Sequence, residues 1–174
     1  CNVKFVGPSP EAIQKMGIKD VARRTMKEAG VPIVPGSDGI LKNEEEAIKV
    51  AEDIGYPVII KATAGGGGKG IRVAYNKEEL INGFRITQKA AETAFGNPGV
   101  YLEKNIEDFR HVEIQILADE HGNVIHLGER DCSIQRRLQK LIEETPSPAI
   151  TPEIRQAMGE ASVKAAKAVN YVGA

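Results

Sequence analysis

"VIIKATAGGGGKGIRVAY", Val58 to Tyr75, decides how the chain is read. A short apolar run of β-branched residues ends in Lys61. From Gly65 to Gly70 every position but Lys69 is glycine, and a second strand-like run, Ile71–Tyr75, follows. Gly65-x-Gly67-x-x-Gly70 has the spacing of a dinucleotide fingerprint, but that motif must open a helix and here a strand follows. Gly68-Lys69 is followed by Gly70 and not by Ser or Thr, so it is no Walker A loop. In the glycine loop of kinases a valine stands where Arg72 stands here, and Val73 comes one place late. What survives is strand, glycine flap, strand, with Lys61 at the base. Glycines let backbone N–H groups approach phosphate oxygens, and Lys61 would be the point charge on them. The same stretch alone also describes a mobile surface hairpin.

Outward from this stretch, helices and strands alternate. Ser9 with Pro10 opens one helix, and Asp20 is expected to cap "VARRTMKEA", which stops at Gly30. Pro32 and Pro35 mark a connector. Asn43 caps a helix that ends at Gly55, and Asn76 caps a long one that ends at Gly96. "VYLEKNI" (100–106) reads as a strand. "HVEIQILAD" (111–119) alternates as a half-buried strand, "EHGN" turns, and "VIHLGERD" (124–131) returns as its partner. Thr151-Pro152 opens a last helix, reaching about Val169. Hairpins in a β-rich centre make the class α+β and not a doubly wound parallel sheet.

The 174 residues suffice for one domain of ordinary size, and 41% hydrophobic residues mark a globular chain. The net charge of −1 gives no case for nucleic acid or an anionic membrane surface, and no apolar run has the length of a membrane span. Cys1 and Cys132 form no paired or metal-type motif, which points to a reduced, cytoplasmic protein. A start at Cys1 and an apolar end at "NYVGA" suggest a piece of something longer.

Two further clusters carry chemistry. In "YLEKNI", Leu102 and Glu103 face opposite sides; the segment suits adenine recognition, but spacing alone favours an exposed edge strand with solvated Glu103 and Lys104. In "RHVEIQ", His111, Glu113 and Gln115 share a face. Arg130, Arg136, Arg137 and Lys140 gather charge suited to a polyanion or small oxyanion, or form a solvated rim paired with Glu143 and Glu144. Glu129 and Asp131, flanking Arg130, read as its salt-bridge partners. His121 and His126 receive no role.

Taken together, "FVGPSPEAIQKMGIKDVARRTMKEAGVPIVPGS" (5–37), "GYPVIIKATAGGGGKGIRV" (55–73), "YLEKNIEDFRHVEIQILAD" (101–119) and "GERDCSIQRRLQKLIEETPSP" (128–148) resemble the biotin carboxylase family of ATP-grasp enzymes, in order and over nearly the whole chain. The resemblance implies an α+β ATP-grasp fold, with nucleotide held between two lobes. Residues 1–32 would be the end of an N-terminal lobe with connecting helices, 33–105 a lid lobe, and 106–174 the first part of the C-terminal lobe. It implies that ATP activates bicarbonate as carboxyphosphate and that the carboxyl group passes to biotin on a carrier protein. That is the first half-reaction of acetyl-CoA carboxylase, and pyruvate and propionyl-CoA carboxylase share the motifs. A carboxyltransferase would act next, and the parent would be a homodimer. Position by position, the resemblance assigns Lys19 and Lys61 to phosphate, Gly67 and Gly68 to the flap, and Glu103, Lys104, Asn105 and Ile106 to adenine. It assigns His111 to ribose, Gln135 to the ribose and phosphates, and Lys140 to bicarbonate. Leu138 stands where many members carry histidine, so one nucleotide contact is expected to be missing. The Mg²⁺ ligands are expected beyond Ala174, so the fragment alone is expected to be inactive. Other readings are a different ATP-grasp ligase, such as a carbamoyl-phosphate synthetase half, and a non-catalytic nucleotide-binding module.

Overall fold

The computed structural model describes residues 3, 5–63, 70–137 and 139–174. The helices are α1 (Pro10–Gly17), α2 (Lys19–Glu28), α3 (Glu44–Ile54), α4 (Lys77–Phe95) and α5 (Pro152–Ala168). The strands are β1 (Val58–Ala62), β2 (Ile71–Ala74), β3 (Val100–Lys104), β4 (Val112–Ala118), β5 (Val124–Arg136) and β6 (Gln139–Glu144). The chain divides into two compact units: residues 18–20 with 33–107, and residues 1–17, 21–32 and 108–174.

The 33–107 unit is a three-stranded antiparallel sheet, β2-β1-β3, with α3 and α4 on one face. Val58, Ile60 and Ala62 are buried, and Ile59 and Lys61 between them are half-buried. This is the period-2 alternation of a strand covered on one side. Val58, Ile60, Leu80, Phe84, Val100 and Leu102 make the core. Gly83 lets α4 come close, since a Cβ there would lie 2.6 Å from Ile60 Cδ1. Both helices start with a reciprocal cap. Asn43 Oδ1 accepts from Glu46 N at 2.9 Å and Glu46 Oε2 accepts from Lys42 N at 2.8 Å; Asn76 and Glu79 repeat the pattern. The edge of β3 is not bare. Ser37 N donates to Leu102 O at 2.9 Å, Lys104 N to Pro35 O at 2.8 Å and Leu41 N to Val100 O at 2.9 Å, so the connector covers it.

The second unit has the antiparallel sheet β4-β5-β6, with α5 packed on β4 and β5. The expected return strand ending at Asp131 continues to Arg136, and β6 extends the sheet by a second hairpin. Ile114 faces Glu129 and Ile116 faces His126, so β5 carries one extra residue in this interval. Gly128, with φ +88°, lies in this bulge. The bulge puts both His126 and Glu129 on the α5 side. Gly159 of α5 has no room for a Cβ, which would sit 2.4 Å from the His126 ring. The second helix begins at Lys19, so Asp20 lies inside it and is not the preceding cap.

Candidate functional site

On the half-buried face of the first sheet, Lys61 and Glu103 are ion-paired. Ile59 opposes Glu103 in the β1–β3 register and Lys61 opposes Tyr101, so the pair are diagonal neighbours on one face. Neither Glu103 nor Lys104 is the solvated edge residue that spacing alone favours. Lys104 Nζ donates to Gly55 O at 2.9 Å and Tyr56 O at 2.8 Å, and Asn105 N donates to Pro57 O at 3.0 Å. The 103–106 segment is therefore fixed against the α3–β1 connector. Its Lys104 side chain is committed to backbone carbonyls, while Ile106 is exposed. Lys19 opens α2 and is exposed. Gly67 and Gly68, like Leu138, lie outside the described residues.

In the second unit Glu113 is the centre. Lys140 on β6 contacts Glu113 Oε2 across the central strand. Arg130 Nε and an Arg130 terminal nitrogen reach Glu113 Oε1 at 2.8 and 2.5 Å, and the other terminal nitrogen reaches Gln115 Oε1 at 2.8 Å. Lys140 and then Arg130 hold the Glu113 carboxyl down to about 2, and Glu113 in turn raises Lys140. Beside this cluster lie buried Cys132, whose thiol is pushed up chiefly by burial, and exposed His111. Cys132 N donates to His111 O at 2.8 Å and His111 N to Ser133 Oγ at 2.9 Å. Gln135 Nε2 donates to Cys132 O at 2.8 Å. The structure thus brings together His111, Gln135 and Lys140 in one unit, and Lys61 with Glu103 to Ile106 in the other.

Glu129 and Asp131 do not pair with Arg130, because neighbours on a strand face opposite sides. Glu129 takes Arg155 of α5 at 2.7 to 2.9 Å and accepts from Ser147 N at 3.1 Å. Asp131 takes Arg110 at 2.9 Å, Ser133 Oγ at 2.6 Å and Ser147 Oγ at 2.8 Å. Ser147 clasps both carboxylates, which ties the chain after β6 to β5. Sequence reasoning placed Glu113 on the right face but missed it as the anchor of Lys140. The signal available was two cations, Arg130 and Lys140, near an acid on an alternating strand.

Magnesium takes hard oxygen ligands. Glu103 and Glu113 are both engaged by cations, and the one convergence of metal-ligating groups found among the described residues includes a thiol. These residues do not fit a Mg²⁺ site.

Residues 19–174 match the family described as carbamoyl-phosphate synthase L chain, ATP binding domain. The chain belongs to this family. Its fold is accordingly that of an ATP-grasp domain, as a fragment. Within the ATP-binding family the chain is 76% identical to Biotin carboxylase 1 of Bacillus subtilis over 173 residues, covering 99% of this chain and 38% of that protein. It is 59% identical to the biotin carboxylase of a Nostoc species, covering 99% of this chain and 39% of that protein. Among solved structures, the beta-gamma-ATP complex of a Campylobacter jejuni biotin carboxylase aligns with a TM-score of 0.87 and 51% identity, over 99% of this chain and 39% of that one. The chain therefore spans about two fifths of the length of the relatives it matches. No helix among the described residues is long and apolar enough to cross a membrane.

Proposed function

We propose that this ATP-binding domain is the nucleotide- and bicarbonate-binding part of a biotin carboxylase. The observation that carries the reading is 76% identity, over 99% of the chain, to a protein of that name. Support also comes from a Hydrogenobacter thermophilus relative of known structure, a biotin carboxylase domain dimer described with MgADP, ADP and bicarbonate, at 54% identity and TM-score 0.85 over 98% of this chain and 38% of that one. In this reading ATP and bicarbonate give carboxyphosphate, and the carboxyl group passes to biotin on a carrier protein. Lys19 and Lys61 bind phosphate, with Gly67 and Gly68 in the flap. Glu103 to Ile106 receive adenine; Lys104 takes part through its backbone, since its ammonium is bound to Gly55 and Tyr56. His111 and Gln135 serve the ribose side. Lys140 holds bicarbonate once the anion exchanges for Glu113 as its partner. Residues 33–105 act as the lid, and Mg²⁺, a homodimer, a cytoplasmic setting and a carboxyltransferase complete the parent enzyme. Acetyl-CoA carboxylase is the favoured parent on the resemblance of the sequence motifs, with pyruvate or propionyl-CoA carboxylase as the alternatives that share them.

The test is ADP release with bicarbonate and magnesium, with and without free biotin, by a protein of the relatives' full length that carries these residues. Biotin-dependent release, lost in Lys140→Ala, is the expected result. Release that ignores biotin and needs another acceptor would move the chain to a different ATP-grasp branch. Absence of release despite tight ATP binding would favour the non-catalytic module.

A further inference from the structure

His111, Glu113 and Cys132 each bring one ligand atom to within 4.8 Å of one another. His111 lies just before β4 and Glu113 within it, while Cys132 lies on β5. The Val112–Asp131 register and the Cys132 N–His111 O bond hold the two strands together at this point. Exposed His111 offers a way in to the buried thiol. We propose that this triad is a binding site for a thiophilic divalent cation, of the Zn²⁺ or Co²⁺ type, which enters by displacing Lys140 from Glu113.

The chemistry fits in kind and in charge. One imidazole nitrogen, one carboxylate oxygen and one thiolate are the donors such ions take, with water as the fourth ligand. Tetrahedral coordination at ordinary bond lengths needs ligand atoms roughly 3.3–3.8 Å apart. A contraction of about 1 Å from the upper bound found here is within reach of side-chain rotation. The Lys140 ammonium now sits on Glu113 Oε2, while Arg130 holds Oε1. On binding, two positive charges leave, the ammonium and the Cys132 thiol proton, and one dication arrives. The thiolate and the Glu113 carboxylate balance it. Arg130 can stay, and Lys140, already partly exposed, swings to solvent. A hard cation such as Mg²⁺ gains nothing from the thiolate, so the site selects soft metals. Binding of the metal does not depend on the proposed carboxylase reading. Where that reading holds, the metal would occupy His111 and strip Lys140 of its anchor, so it would act as an inhibitor.

Cobalt titration of the chain in a Cys1→Ser background tests the site, because only Cys132 then remains as a thiol. One equivalent of Co²⁺ should give a sulfur-to-cobalt charge-transfer band in the near ultraviolet, absent in Cys132→Ser. Because buried Cys132 is a demanding position, two exposed positions supply an independent check. His111→Ala should weaken binding at least about tenfold, since even outer-shell partners of metal ligands are worth that much. Lys140→Ala should do the opposite and tighten it by on the order of threefold to fivefold, the worth of a partly exposed ion pair removed from competition. A missing band, a band that persists in Cys132→Ser, or unchanged or weaker binding in Lys140→Ala would overturn the proposal.

Discussion

The two sheets solve the same problem in different ways. Each carries a lysine held by a glutamate on an accessible face, Lys61 with Glu103 and Lys140 with Glu113. Behind Lys61 the sheet rests on an apolar core of Val58, Ile60, Phe84 and Leu102. Behind Lys140 much of the buried layer is polar: Glu129 is bound by Arg155 and Ser147, and Asp131 by Arg110, Ser133 and Ser147. Apolar burial is indifferent to pH and tolerant of direction, whereas buried charges demand exact partners and protonation states. The first sheet is thus built by packing and the second by electrostatics.

The largest expected effect breaks the packing side. Phe84→Ala should cost about 3–5 kcal/mol by opening a cavity beneath β1, read from denaturant unfolding followed by circular dichroism. Gly83→Ala tests the same interface from the other direction: the clash with Ile60 should destabilise by about 1–3 kcal/mol, and Ile60→Val in the same chain should restore part of it.

Next come the charges. Acid should loosen the second sheet before the first. Glu129 and Glu113 are both lowered to about 2 from an ordinary value of 4.5, chiefly by Arg155 and Lys140 respectively. Carboxyls with depressed folded-state values contribute stability above their unfolded value and lose it as pH falls from about 4.5 toward about 2. Between about pH 5 and pH 3, amide protection factors, taken against the intrinsic exchange rate at each pH, should fall in β4–β6 while β1 and β3 keep theirs. Equal loss in both sheets would erase the contrast. Glu129→Gln should shift acid unfolding of the second sheet more than Glu113→Gln does, because Glu129 is far more buried than Glu113.

The smallest structural effect, and the sharpest functional one, separates the two lysines. On the proposed reading, in which Lys61 binds phosphate, Lys61→Ala should weaken ATP binding about tenfold or more, with little change in melting temperature. Lys140→Ala should leave ATP binding within about threefold and abolish bicarbonate-dependent ADP release in a protein of full length. Isothermal titration with a non-hydrolysed ATP analogue reads the first, and coupled ADP detection the second.

Much of the architecture is local and was legible. Asn43, Asn76 and Thr151 cap helices as read, because a cap is a bond between a side chain and a backbone N–H within three residues. The hairpin turn at 120–123 follows from Asp119 and Asn123, which bond each other and the turn backbone. The second hairpin was missed, since "CSIQRRLQK" lacks both clean alternation and a turn dipeptide; its pairing comes from the neighbouring strand.

The sequence by itself determined the α+β class, the helix starts and stops apart from the start of α2, and, through four ordered motifs, the resemblance to biotin carboxylases. Only the tertiary structure decided which charge meets which. Arg130 sits between two acids in the chain yet pairs with Glu113 on the next strand, and those two acids pair with Arg155 and Arg110. The reason is geometric. A strand sends successive side chains to opposite faces, so sequence neighbours are held apart while residues tens of positions away are brought within a hydrogen bond.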